Sequence, residues 1–219
     1  MRSKLKKFAA NEEARNVVQP GKELFDTISG RWREVMFQND NDIVLELACG
    51  RGEYTTGLAE VDPNRNFIGV DIKGDRIHKG SQHALENGLD NVAFLRTHIL
   101  HLEKFFGDNE VNEIWIVFPD PRPKDKDIRR RLTNQRFIDM YRRILAPGGE
   151  LRLKTDNTGF YEYTLEVINE VEDLELIEET SDLYESLLIE EHHGISTKYE
   201  KIWTAKGERI KYVKFRFRQ

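Results

Sequence analysis

The strongest constraint on the fold is a regular alternation between short apolar runs and segments with helical periodicity. The apolar runs have the length of strands, and they cover residues 42–47, 66–71, 92–97, 113–118 and 150–155. Segments such as 75–88 and 134–145, which lie between these runs, repeat apolar residues at helical spacing. This alternation predicts βαβ units and a parallel, twisted sheet. Such sheets bind ligands at the carboxyl ends of their strands, near the point where strand order reverses.

The C-terminal part of the chain predicts two further strands. One is the run LELIEE (174–179), and the other is the tail IKYVKFRFR (210–218), in which apolar and basic residues alternate. That period is typical of a strand with one buried face. Because the sequence has no internal repeat or low-complexity linker, we predict one domain, residues 21–219. Residues 1–20 are expected to form a loosely held basic arm.

Charge is distributed very unevenly, although the formal net charge is only −5. Residues 166–191 contain eleven acidic residues and no Lys or Arg, whereas residues 122–143 contain nine basic residues and three acidic ones. The tail from residue 201 has seven basic residues and one acidic residue. A polarised surface can bind a polyanion despite a negative sum, so nucleic acid stays a possible partner. The acidic segment is expected to face solvent or to pair with the basic tail.

Cysteine content and hydropathy indicate a protein of the cytoplasm. Cys49 is the only cysteine, so the chain cannot form an internal disulfide, which suits a reducing compartment. No apolar run approaches the roughly 20 residues that span a bilayer, and the basic N-terminus lacks an apolar signal region. We therefore expect a cytoplasmic protein without a membrane contact.

The end of the first predicted strand has the residues of a nucleotide-type site. It reads ELACGRGE, in which Gly50 and Gly52 allow the backbone to approach a ligand, and Asp71 ends the next strand about twenty residues later. A dinucleotide and S-adenosylmethionine both suit this spacing. Glu46, however, would repel a pyrophosphate and would attract the ammonium group of a methionine moiety. The third glycine of a dinucleotide motif is also replaced by Thr55. The residues favour S-adenosylmethionine.

The fourth predicted strand ends in an unusual sequence, VFPDPRPKDKDIRRRLT (117–133). Its prolines remove backbone donors and stiffen the chain, which fixes the direction of Asp120 beside the cofactor. The FPDP run, Lys124 and RRRLT resemble the bacterial, single-polypeptide tRNA (guanine-N7)-methyltransferase family. ELACGRGEYT, FIGVDIKGDRI, LKTDNTGFYEYT and STKYEKIWTAKGERI also resemble that family, in the same order. The resemblance extends over 44–210.

The resemblance implies a fold, a reaction and a set of site residues. The fold would be the α/β, Rossmann-like class I methyltransferase fold: a mostly parallel, twisted, seven-stranded sheet with an antiparallel C-terminal strand and helices on both faces. The reaction would be methylation of guanosine 46 of tRNA with S-adenosylmethionine as cofactor. Asp120 would lie at the reaction centre. Cofactor binding would involve Glu46, Gly50, Gly52, Asp71, His98 and Asp120. Substrate binding would involve Lys124, Asp156, Thr197, Lys198, Tyr199 and Glu200.

The charge pattern adds phosphate contacts, and two positions depart from the family. Arg129, Arg130 and Arg131 follow the active edge and are expected to contact tRNA phosphates. Arg122 stands where the family commonly has an aromatic residue, and His98 stands where it usually has Asp or Asn near the adenine ring. We expect a monomer or homodimer without a metal.

The chemistry expected of this reaction explains acids beside a polyanion. Guanine N7 has a lone pair and no proton, so its methylation needs no general base. Asp120 and Asp156 could accept from the guanine N1–H and exocyclic amine, which would orient N7 and stabilise the positive ring. Alternatives are a methyltransferase acting on rRNA or a small molecule, a dinucleotide-dependent dehydrogenase, and a non-catalytic RNA-binding module. The acids at three strand ends disfavour the last of these.

Overall fold

The computed structural model describes residues 2–218, and side chains from residue 4 onward. Its strands are β1 (Val17–Val18), β2 (Ile43–Leu47), β3 (Asn66–Asp71), β4 (Val92–Arg96), β5 (Val111–Val117), β6 (Leu145–Thr155), β7 (Leu174–Thr180) and β8 (Lys211–Phe217). They form one sheet in the order β1-β4-β3-β2-β5-β6-β8-β7. β8 runs antiparallel to both of its neighbours, and the other pairs are parallel. This arrangement confirms the mostly parallel sheet with an antiparallel C-terminal strand.

The number of strands differs from the seven that were predicted, because β1 adds an eighth at the edge beside β4. β1 is two residues long, which is too short to give a periodic signal in the sequence. The α-helices are α1 (Arg2–Glu13), α2 (Leu24–Thr27), α3 (Glu53–Val61), α4 (Gly74–Glu86), α5 (Gln135–Ile144), α6 (Thr158–Glu170) and α7 (Lys198–Thr204). A π-helical segment covers Trp32–Phe37, and 3₁₀ turns cover Ile99–Lys104, Asp125–Arg130 and Leu187–His192.

Two apolar clusters form, one on each face of the sheet. Alternate residues of β2, beginning with Ile43, pack with α5 and α6 in the first cluster. Val44 points to the opposite face, where it packs with residues of α3 and α4 in the second. Because side chains alternate along a strand, Glu46 shares the face of Val44 and lies under α3. The strand geometry therefore determines which side of the sheet receives this buried acid.

The N-terminal segment is more closely attached than the sequence suggested. The Asn11 amide donates to the Gly74 carbonyl at 2.7 Å, and Val17 and Val18 are buried. Residues 11–18 thus belong to the packed structure, and the expectation of a loosely held arm does not describe them. The boundary at residue 20 stays a prediction, although β1 lies in the sheet before it.

The acidic segment pairs with the basic tail, as one of the two expectations proposed. β7 and β8 are neighbours, and Glu175 lies 2.8 Å from Arg216. Lys214 lies 3.4 Å from both Glu178 and Glu191. The pairs of Glu175 and Glu178 cross the antiparallel ladder, where opposite charges on one face stabilise the register, whereas Glu191 reaches Lys214 from the 3₁₀ turn Leu187–His192. Three acids of this segment are therefore paired with two cations of the basic tail.

Candidate active site at the carboxyl edge of the sheet

A cavity of about 280 Å³ opens where the carboxyl ends of the central parallel strands meet. Its wall includes Asp71 at the end of β3, His98 after β4 and Asp120 after β5. β2 lies between β3 and β5, and the chain changes direction across the sheet there, so the cavity lies at the switch point. The fold thus brings together three of the residues that were predicted to bind the cofactor.

Gly50 and Gly52 belong to the loop of residues 48–52, called the cofactor loop below, which depends on its glycines and on Asp71. Gly50 donates its N–H to Asp71 Oδ2 at 3.0 Å, while Asp71 Oδ1 accepts from Lys73 N at 2.8 Å. Gly52 has φ +70°, and a Cβ there would lie 2.5 Å from a ring carbon of Phe94. Asp71 therefore orients the loop, and each of its oxygens keeps a lone pair for a ligand.

Glu46 is buried and is not part of the cavity wall. Its carboxylate accepts hydrogen bonds from the Thr55 N–H, at 2.8 Å, and from the Thr55 hydroxyl. Burial raises the pKa of Glu46 to about 8, and the negative charges of Asp71 and Glu53 contribute to the rise. A cation near this carboxyl would favour its ionised form. Glu46 is therefore held by Thr55 of α3 and does not face the cavity.

His98 lines the cavity with one ring nitrogen already engaged. Its Nδ1 accepts from Leu100 N at 3.2 Å, which caps the 3₁₀ turn that follows. In the neutral ring, the proton then resides on Nε2, so this nitrogen can donate to a ligand. An Asp side chain at the same place could only accept. His98 therefore offers a donor to the cavity, where an Asp would offer only acceptors.

Asp120 lies in a short strained loop, residues 118–124, called the proline loop below. Phe118 has φ +45° and Arg122 has φ +49°, values that are uncommon outside glycine. Asp120 is largely exposed, and its carboxylate lies 3.2 Å from Arg122 Nε. Strained backbone of this kind occurs often at active sites, where surrounding structure fixes it. Arg122 thus forms an ion pair with the residue that was predicted to be catalytic.

The Thr197–Glu200 element has two buried and two exposed residues. Thr197 and Glu200 form a capping box at the start of α7, while Lys198 and Tyr199 face solvent. Glu200 Oε1 lies 2.9 Å from the ammonium of Lys154 and 3.0 Å from His192 Nε2. Burial opposes ionisation of Glu200, but His192 and Lys154 outweigh it and lower the pKa. Glu200 and Thr197 therefore anchor the element, and Lys198 and Tyr199 present its outer surface.

The same element touches the cofactor loop region. Lys198 N donates to the Glu53 carboxylate at 2.8 Å, and Glu53 is the first residue of α3 after the loop. Asp156, at the end of β6, is half-buried, and burial raises its pKa. Its backbone carbonyl accepts from Lys211 Nζ at 2.7 Å. Asp156, Thr197 and Lys198 lie outside the wall of the 280 Å³ cavity.

The basic residues after the proline loop have different environments. Lys124, Arg129 and Arg130 are exposed, and Arg130 also lines the cavity. Arg131 is buried, with its guanidinium stacked 4.5 Å from the centre of the Tyr163 ring. The three arginines were predicted to share one role, but the structure places Arg131 apart from the surface.

Two contributors to the site were missed by the sequence analysis. Lys154 is fully buried and pairs with Glu200 of α7, and Arg136, the second residue of α5, lies on the cavity wall. The strand ELRLKT looks like an ordinary amphipathic strand, so its lysine gave no signal. Arg136 could have been predicted from its position, because it lies in the first turn of α5, the helix that follows the basic run.

Among residues 2–218, no group of three or more His, Cys, Asp or Glu is placed to hold a metal ion. Within the same part of the chain, no helix has both the length and the apolar character that a membrane span requires.

Comparison with known proteins assigns the chain to a family. Residues 40–213 match the family described as "Putative methyltransferase". The chain is 47% identical to the tRNA (guanine-N(7)-)-methyltransferase of Cytophaga hutchinsonii, covering 99% of this chain and 98% of that protein. It is 36% identical to the one of Streptococcus thermophilus over 88% of each. A structure of the 16S rRNA methyltransferase KamB shares the fold, with a TM-score of 0.65 at 16% identity over 88% of this chain and 95% of that one. The chain therefore belongs to the tRNA (guanine-N(7)-)-methyltransferase family.

Proposed function

We propose that this protein transfers the methyl group of S-adenosylmethionine to N7 of a guanine in tRNA. The observation that carries this proposal is the near full-length identity to tRNA (guanine-N(7)-)-methyltransferases, 47% in the relative from Cytophaga hutchinsonii. The cavity at the switch point supports the proposal, because Asp71, His98 and Asp120 all line it. Guanosine 46 of the variable loop is the target that the sequence resemblance implies.

The residues at the cavity fit a nucleoside that carries a positive charge. Asp71 has free lone pairs that can accept from ribose hydroxyls, and His98 Nε2 can donate to a purine nitrogen. Glu53 supplies negative charge near the cofactor loop, and a bound cation would favour the ionised form of Glu46. Gly52 lets the cofactor loop pack against the Phe94 ring, where a Cβ would lie 2.5 Å from a ring carbon. When bound, S-adenosylmethionine supplies an electrophilic methyl group on a sulfonium.

The side chains at the rim suit a reaction that creates a positive purine. Guanine N7 attacks through its lone pair, so no residue has to remove a proton. Asp120 is exposed at the cavity and can accept from the guanine N1–H and amine, which aligns N7 and stabilises the growing charge. Asp156, which directly follows β6, can also accept a hydrogen bond from the guanine. Asp120 acts here as a positioning and electrostatic group.

Phosphate contacts would come from exposed cations around the same edge. Lys124, Arg129 and Arg130 lie on the surface next to the cavity, and Lys198 and Tyr199 lie on the exposed face of α7. Cations on this surface would hold the RNA backbone while the cavity, which Asp71 and Asp120 also line, accepts the base. We place the protein in the cytoplasm, as a monomer or homodimer.

The reaction can be tested directly with the purified protein. Unmodified tRNA is incubated with S-adenosylmethionine labelled in its methyl group, and the product is cleaved by chemistry selective for N7-methylguanosine. The proposal predicts label at one guanine and cleavage at position 46. Label on another base, on rRNA alone or on a small amine would overturn it. A tRNA with guanine 46 replaced by adenine serves as the matched control and should take up no label.

A further inference from the structure

We propose that Arg131 is a positioning residue, which holds the proline loop and thereby Asp120, and that it is not a phosphate contact. The inference rests on the proposed function for its activity readouts. It separates Arg131 from Arg129 and Arg130, with which it forms a continuous basic run in the sequence.

Burial is the first observation. Arg131 is 9% exposed, whereas its two basic neighbours are exposed. The guanidinium carbon lies over the Tyr163 ring, 4.5 Å from its centre, so this side of the group is covered by α6. A phosphate contact needs a guanidinium edge that the RNA backbone can reach. Arg131 instead directs its charged group into the domain.

The hydrogen bond of Arg131 gives the second observation. Its Nε donates to the carbonyl of Arg122 at 3.3 Å, at the far end of the short segment that contains Asp120. At the near end, Phe118 N donates to the Lys154 carbonyl at 2.8 Å. The segment is thus fastened to β6 at one end and to Arg131 at the other. Asp120 lies between these two attachments.

The backbone of the proline loop is strained, so it depends on the hydrogen bond from Arg131 to the Arg122 carbonyl. Phe118 and Arg122 both have positive φ, and Pro119 and Pro121 have no N–H groups for hydrogen bonds. A backbone of this kind persists only where its surroundings hold it. Tyr163, on which Arg131 stacks, is itself fixed because its hydroxyl accepts from the Asn134 amide at 2.7 Å. The helix α6 therefore supports the proline loop through Arg131.

The geometry also explains why this position requires arginine. A guanidinium is planar, so it can stack on an aromatic ring while an edge N–H is directed at a carbonyl. The ammonium of lysine keeps the charge but cannot stack as a plane. Arg131→Lys consequently removes the guanidinium over Tyr163 and the Nε–H that donates to Arg122, while preserving the positive charge. This makes it the informative substitution.

The test compares Arg131→Lys with Arg129→Ala in the full-length protein. We expect Arg131→Lys to lower kcat at least tenfold, with the KM for tRNA and the salt dependence of tRNA binding changed less than twofold. Arg129→Ala should show the reverse, with a higher KM and a shallower salt dependence. If Arg131→Lys raises KM and flattens the salt dependence as Arg129→Ala does, or leaves kcat unchanged, the proposal is overturned.

Amide hydrogen exchange supplies a readout that does not depend on methyl transfer. Arg131→Lys should speed exchange in residues 118–124, and Arg129→Ala should leave it as in the unmodified protein. Unchanged exchange in Arg131→Lys would overturn the positioning role even if the protein methylated a different substrate. A failure of the proposed function would instead appear as absent tRNA methylation by the unmodified protein.

A second pair of variants tests the same contact from the Tyr163 side, in case Arg131→Lys does not fold. Tyr163→Phe keeps the ring on which Arg131 stacks, whereas Tyr163→Leu removes it. We expect Tyr163→Leu to lower kcat and to speed exchange in residues 118–124 in the same direction as Arg131→Lys, and more strongly than Tyr163→Phe. Equal effects of the two tyrosine variants would contradict a role for the stack.

Discussion

The carboxylate of Glu200 lies 2.9 Å from the ammonium of Lys154, and neither side chain is more than 1% exposed. The pair joins α7 to β6 and so fixes the Thr197–Glu200 element on the sheet. Burying two charges is costly, but their attraction and the extra hydrogen bonds from His192 and Tyr184 offset the cost. Lys198 and Tyr199 are consequently presented by a rigid turn.

Removal of one partner from this pair should destabilise the protein strongly. Glu200→Gln leaves the buried Lys154 ammonium without its counter-charge, and breaking such a pair costs about 3–5 kcal/mol. Urea denaturation should show a loss of this size in the free energy of unfolding. Lys201→Ala, an exposed change one residue away, should shift it by less than about 0.5 kcal/mol. A loss below about 1 kcal/mol for Glu200→Gln would contradict the structural role.

The pH dependence of stability follows from the same carboxylate. The pKa of Glu200 is lowered in the folded protein, so its stabilisation is present above its usual value of 4.5 and is lost as pH falls through the folded pKa. The unmodified protein should thus lose stability below pH 4.5 more steeply than Glu200→Gln. Parallel curves for the two proteins, measured by thermal unfolding at several pH values, would exclude this linkage.

Glu46 should make cofactor binding depend on pH in the range below about pH 8. Burial, with the charges of Asp71 and Glu53, raises the pKa of Glu46 to about 8, so the free protein carries this carboxyl protonated at pH 7. A positively charged ligand favours the ionised form, and binding then releases a proton. Affinity for S-adenosylmethionine should rise by up to about tenfold per pH unit below pH 8 and level off above it. Calorimetry measures the affinity of both the unmodified protein and Glu46→Gln, whose amide cannot ionise. The affinity of the variant should depend less on pH, and what dependence remains reports the titration of the ligand and of other groups.

Asp120 should be needed for the reaction and hardly for the fold. The side chain is largely exposed, and its ion pair with Arg122 contributes about 0–1 kcal/mol at such a site. Asp120→Asn should therefore leave the unfolding midpoint almost unchanged while lowering kcat by about 10²–10³-fold, the range for loss of one electrostatic group. Asp125→Asn is the control, because this exposed acid lies outside the cavity wall. Similar losses in both variants would argue against a specific role for Asp120.

The sequence predicted the sheet and the acids at its edge because both depend on local patterns. Apolar runs determine β2 to β5, and parallel strands bring Asp71 and Asp120 to one edge wherever the helices pack. The pairing of Glu200 with Lys154 depends instead on tertiary packing of α7 against β6, for which neither residue gives a local signal. The burial of Arg131 could not be foreseen for the same reason, since three successive arginines look alike in the sequence until the fold places one of them over Tyr163.

The two glycines Gly52 and Gly88 allow a test of the cofactor loop. Both have positive φ, +70° and +67°, but a Cβ at Gly52 would lie 2.5 Å from Phe94, whereas nothing lies within 4 Å at Gly88. Alanine at Gly88 should cost about 1–2 kcal/mol through backbone strain alone. Alanine at Gly52 adds overpacking, typically about 1–3 kcal/mol, and should also weaken S-adenosylmethionine binding because the cofactor loop must move. Chemical denaturation and calorimetry on both variants measure the difference; equal destabilisation with unchanged cofactor affinity would show that the loop tolerates the side chain.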